Sequence, residues 1–235
     1  MKLIKPSVAA ITALTLATST GISSAALVAY AVDDILTGAT PSDPGPWLTV
    51  SLVDIHNRAT DPTATADYVM ITLELDLANG EFISKTFLDI NPVFASASVQ
   101  STFGLNNTNV GSFQVPTITV GQNKLRVGGN TRSNGHNESH IELGFTTSNS
   151  GGGAKRFNND DVYTFVIKYD GPESMTAESL QLLNFAGPPE YFGAAHIQGI
   201  VNGQSSWVQS AVPEPSTALL ASLSLVGLVG RRKRS

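Results

Sequence analysis

Residues Tyr68 to Leu77 alternate between apolar and polar positions with a period of two. Val69, Ile71, Leu73, Leu75 and Leu77 fall on one face, and Tyr68, Met70, Thr72, Glu74 and Asp76 on the other. That pattern predicts a strand with one buried face. Asn79-Gly80 follows, then a second apolar-rich run, Phe82 to Leu88. Asn-Gly is a strong two-residue turn signal, so the pair reads as a hairpin. Trp47–Ile55 is an earlier strand candidate. Phe113–Val120 is another, and Pro116 pushes it toward a sheet edge because proline has no N–H to donate. Lys124–Val127, Ser139–Thr146, Val162–Tyr169 and Ala194–Val201 continue the series. Gly- and Asn-rich gaps separate them. Met175–Leu183 fits a helix and a strand about equally well. Many short strands with such turns predict an all-β fold, a single β-sandwich over 32–210, with a jelly roll as the nearest alternative. No repeat and no second domain is visible.

Composition agrees with that picture. The chain is 41% hydrophobic and 14% charged, which is neither disordered nor coiled coil. Between its ends it has roughly 180 residues, enough for one well-buried core. It has no cysteine, so disulfides, thiolate metal sites and thiol catalysis are excluded and stability must come from burial. Six of the 14 basic residues sit in the end segments, whereas only Glu214 of the 19 acidic ones does. The middle thus keeps 8 basic and 18 acidic groups. A surface that negative repels nucleic acid and anionic lipid.

Both ends read as addresses. Met1-Lys-Leu-Ile-Lys5 is a positive n-region, and Val8 to Ile22 is an uncharged apolar run. Small residues follow, with a signal-peptidase site at Ala25-Ala26 and a second at Ala29-Tyr30-Ala31. This is a secretory signal spanning 1–26, with cleavage after 31 as the alternative. It implies the Sec translocon and signal peptidase as partners. At the other end, 212–235 holds Val212-Pro213-Glu214-Pro215-Ser216, then Thr217 to Gly230 without a charge, then Arg231-Arg232-Lys233-Arg234. The apolar run has 14 residues, short of the ~20 a stable spanning helix needs. The basic cluster would stay cytoplasmic and halt export. The segment is a temporary stop-transfer signal, inserted transiently in the inner membrane.

This tripartite end closely resembles the PEP-CTERM sorting signal of Gram-negative bacteria. The resemblance implies an exosortase as processing partner, delivery to the cell surface or extracellular matrix, and proximity to exopolysaccharide. A second resemblance covers about 70 residues of the C-terminal half. Arg156-Phe157-Asn-Asn-Asp160, Ala195-His196-Ile-Gln198 and Ser205-Ser206-Trp207 are similar to the "RF..GD" and "AHVQ…SGW" segments of PEP-CTERM proteins with no assigned activity. Asn159 replaces the Gly of the turn, and Ser206 the Gly before Trp. The resemblance implies a shared domain and nothing about chemistry.

Candidate chemistry is sparse. His136, Glu138, His140 and Glu142 would share one face of a strand, and imidazole with carboxylate suits zinc or manganese. The plainer alternative, a solvated strand face, is favoured, since the spacing is not His-Glu-x-x-His on a helix. Asn158-Asn159-Asp160-Asp161 offers oxygens to calcium, but such turns also cap their own backbone. His196, with Gln198 on the same face, is a general-base candidate. A half-buried polar pair that locks the last strand in register is favoured. Trp207 is expected to pack on the core as the chain leaves the domain. No nucleophile elbow, P-loop or dinucleotide fingerprint is present. The expectation is therefore a non-catalytic surface or matrix protein with no cofactor, calcium being the one ion weighed. The alternatives are a carbohydrate-binding module, calcium-assisted, and a polysaccharide hydrolase using paired carboxylates.

Overall fold

The computed structural model describes residues 27–58, 61, 63–78, 80–100, 113–122, 126–127, 130–131, 139–149, 153–180 and 192–210. Numbered along the chain, the strands are β1 (Leu27–Val32), β2 (Asp34–Gly38), β3 (Leu48–His56), β4 (Asp67–Leu75), β5 (Phe82–Ile90), β6 (Ser98–Gln100) and β7 (Thr117–Gln122). Then follow β8 (Arg126–Val127), β9 (Asn130–Thr131), β10 (Ser139–Gly144), β11 (Phe157–Asn158), β12 (Val162–Tyr169), one helical turn α1 (Ala177–Leu180), β13 (Gly193–Ile200) and β14 (Gln204–Gln209). A five-stranded antiparallel sheet runs β1-β3-β4-β12-β6. A second sheet runs β2-β14-β13-β5-β10-β7, with β11 paired to β5 as its seventh strand. β8 and β9 form a small separate ribbon. The two large sheets pack face to face around one apolar core, so the fold is an all-β sandwich.

Alternation dictates the first sheet. Val69, Ile71, Leu73 and Leu75 of β4 point inward, as do Tyr163, Phe165, Ile167 and Tyr169 of β12. Thr72 and Thr164 meet across the two strands on the outer face, with hydroxyls 3.0 Å apart. Phe145 stacks on Phe157 at 4.4 Å, and Phe113 packs against Phe157 and Tyr163 to close one end of the core. β7 is an edge strand and Pro116 immediately precedes it, as its missing N–H requires.

The hairpin expected at Asn79-Gly80 is not formed. β4 is already paired on both edges, by β3 and β12, so the chain crosses to the other sheet at this point. There β5 runs between β13 and β10. Its burial on both faces suits a central strand rather than a hairpin arm. Asn79 lies outside the described residues, and Gly80 takes a positive φ of 94°. The folded domain also begins ahead of residue 32. Leu27–Val32 forms β1 along β3, with Tyr30 and Val32 in the core. Of Met175–Leu183, residues 175–180 are described, and Ala177–Leu180 form the single turn α1.

Candidate functional site

The register of the second sheet brings chemistry-bearing side chains to its outer face. On β13 the inward positions are Ala195 and Ile197, so Ala194, His196 and Gln198 face out. On β14 the core residue Val208 leaves Trp207 facing out. Trp207 is directly opposite His196, and their rings stack at 4.7 Å with a 16° interplanar angle. Trp207 also stacks on Phe87 of β5 at 5.8 Å, and Phe87 meets the edge of His140 of β10 at 5.4 Å. A row of four rings, His196, Trp207, Phe87 and His140, therefore crosses the sheet. Ala194, with its single methyl, leaves the space beside Phe87 that Trp207 and Leu36 help fill.

Polar groups flank the row. A β-bulge near Ser84 places its Oγ 2.9 Å from Nδ1 of His196. Lys85 Nζ pairs with Glu142 Oε1 at 2.6 Å and lies over the Phe87 ring at 5.6 Å. Burial lowers the pKa of His140, the nearby Lys85 charge lowers it further, and Glu142 opposes them. Burial and Lys85 lower that of His196 in the same way. Both imidazoles therefore favour the neutral form.

His140 and Glu142 share the outer face, as their spacing predicts, while His136 and Glu138 lie outside the described residues. Glu142 is engaged by Lys85, and His140 is buried against Phe87 with no hydrogen-bond partner for Nδ1. The Asn158–Asp161 turn is closed by its own groups. Asp161 accepts the Asn158 N–H at 2.8 Å, Asn159 Oδ1 accepts the Leu77 N–H at 3.2 Å, and Asp160 takes a left-handed φ of 63°. Among the described residues no group of three or more His, Asp or Glu could hold a metal ion. His196 lies on the penultimate strand rather than the last, because β14 follows it. Trp207 is on the outer face rather than in the main core, since Val208 takes the inward position. Nothing in the sequence signals Lys85 or Phe87, which reach the row only through strand register.

A further oxygen cage lies at the far end of the first sheet and is filled by the protein itself. Asp67 is wholly buried and accepts from the Arg58 N–H, the Arg58 guanidinium and the Met175 N–H. The same guanidinium donates to the Gly171 and Glu173 carbonyls. Burial raises the Asp67 pKa, but Arg58 and these donors outweigh it and hold the carboxyl below its usual range. The guanidinium thus makes three hydrogen bonds, to Asp67, Gly171 and Glu173, and together with the Met175 N–H contact the group pins the 171–175 segment.

β14 ends at Gln209, and Ser210 is fully buried. Its Oγ accepts from the Phe192 and Gly193 N–H groups, and its own N–H donates to the Gly193 carbonyl. A family model of the PEP-CTERM protein-sorting motif matches residues 211–234, directly after this buried serine. The C-terminus is a PEP-CTERM sorting motif. It directs the protein through an exosortase system to the cell exterior. Val212–Ser216 and Arg231–Arg234 fall inside the matched span. That span and the signal site at Ala25-Ala26 lie outside the described residues. Among the described residues no helix is long and apolar enough to cross a membrane. No curated protein and no solved structure matches the chain.

Proposed function

We propose that this protein is a non-catalytic component of the cell surface or extracellular matrix, associated with exopolysaccharide. The single observation that supports this is the PEP-CTERM motif, which follows Ser210 without an intervening domain and makes the sandwich its cargo. The Sec translocon exports the chain, and Thr217–Gly230 holds it briefly in the inner membrane of a Gram-negative envelope. Seven residue steps from Ser210 to Thr217 reach at most ~25 Å, so the sandwich stays beside the bilayer until the tail is processed.

Signal peptidase cuts after Ala26 on this reading. Cleavage after Ala31 would remove all of β1 except Val32 and strip Tyr30 from the core. The test is the intact mass and N-terminal sequence of protein from the host's surface and medium fractions. The expected species begins at Leu27 and lacks the Arg231–Arg234 end. A species that retains this end and stays in the inner membrane would overturn the surface assignment. An N-terminus at Val32 would overturn the cleavage assignment alone.

A further inference from the structure

We propose that the outer face of the seven-stranded sheet, centred on Trp207, His196, Gln198 and the Lys85–Glu142 pair, binds a neutral extracellular polysaccharide. This deepens the matrix reading and rests on it for the place where protein and ligand meet.

A sugar ring offers flat C–H faces rimmed by hydroxyls. Its recognition needs an aromatic surface with hydrogen-bonding groups beside it. That combination occurs here on adjacent strands. Trp207 and His196 form a half-exposed stacked pair on β14 and β13. Phe87, 3% exposed, and Ala194, 0% exposed, make the apolar floor beneath them. Ser84 engages Nδ1 of His196, which leaves Nε2 for a ligand hydroxyl. Gln198 is half-buried on the same face, two residues along the strand, and its amide has no hydrogen-bond partner among the described residues. Lys85 and Glu142 add a donor and an acceptor at the rim, with side chains 48% and 29% exposed.

The site is largely preorganised. Contacts with His196 and Phe87 fix the indole of Trp207, and the Ser84 contact fixes the imidazole, so little side-chain freedom remains to be lost on binding. Charge selects a neutral ligand. The domain carries 18 acidic groups against 8 basic ones, and the lysine at the site is already paired. A polyanion would be repelled by that acidic excess, which the one guanidinium nearby, Arg156 over the Phe82 ring, does not offset.

The test is affinity electrophoresis of the mature protein from its host. The gels contain a neutral β-glucan, a galactomannan, the host's own neutral exopolysaccharide fraction, or alginate as the polyanion. At least one neutral polymer is expected to retard the protein, and alginate is not. Trp207→Ala should weaken binding at least tenfold, as loss of a central aromatic anchor does. Gln198→Ala should weaken it severalfold; having no hydrogen-bond partner among the described residues, it keeps the fold out of the outcome. Trp207 emission should shift on binding, because Trp47 is buried in the core. The proposal is overturned if no neutral polymer retards the protein, if only alginate does, or if both variants bind like the wild type. Failure with correct processing and surface location would leave the matrix reading standing. Glycan binding by a protein that never leaves the inner membrane would instead overturn that reading.

Discussion

The two outer faces of the sandwich differ in kind. The five-stranded sheet shows solvent threonines and charges, including Thr72, Glu74, Thr164 and Lys168, around an aliphatic row of Val53, Met70 and Val166, with a Tyr68–His56 ring pair at one corner. The seven-stranded sheet shows a continuous row of four rings and an ion pair. Both sheets meet the same demand on their inner faces, which is to bury aliphatic and aromatic groups in one core. Solubility and ordinary cross-strand aliphatic packing explain the first outer face. They do not explain a second aromatic cluster on the far side of a central strand. Of the two, the second carries the proposed binding site.

The inward positions of each strand carry most of the stability. Phe165→Ala should cost about 4 kcal/mol, because a fully buried ring leaves a cavity, whereas its outward neighbour Thr164→Ala should cost about 1 kcal/mol or less. Urea denaturation of the mature protein measures both. Equal losses would break the assignment of faces. Next is Asp67→Ala at the end of the first sheet. It leaves Arg58 and the Met175 N–H without their partner and should cost about 3 kcal/mol by the same measurement.

On the outer ring row, Trp207→Ala should cost about 1–2 kcal/mol, since the indole is partly exposed and its neighbours can close in. A loss as large as that of Phe165→Ala would make the row a second core rather than a binding face. The smallest effect is the pH dependence. His140 and His196 have lowered pKa values in the folded state, so the stability they contribute is complete above the ordinary imidazole value of about 6.5. It is lost as pH falls through their folded values, because the unfolded chain takes up the protons first. The urea midpoint should therefore fall between pH 7.5 and 5.5, and His140→Gln should flatten that fall. A midpoint that rises on acidification would contradict the burial of both rings.

Much of the first sheet could be read directly from the chain. Val162–Tyr169 has the same bounds in the sequence pattern and in the structure, and the β4 alternation predicts its inward set residue by residue. Such strands have one dry face and one wet face, so their period is visible locally. β5 was harder to place because both of its faces are buried, and an Asn-Gly turn does not say which sheet the next strand joins. β1 was hidden in small and aliphatic residues that look like the end of an export signal. β14 leaves little trace in the sequence because only three of its residues, Ser206, Val208 and Gln209, are buried, and its polar residues resemble a linker.

The sorting address, the absence of thiol chemistry, the acidic balance and the strand-rich core are all legible along the chain. These depend on linear order, on composition or on a period of two, which a chain carries without folding. Tertiary structure alone decided that β4 and β5 separate, that Leu27–Val32 belongs to the domain, and that Trp207 faces out against His196 and Phe87. Cross-strand neighbours are set by register between segments as far apart as Phe87 and Trp207. That register is established only when two sheets compete for the same apolar faces.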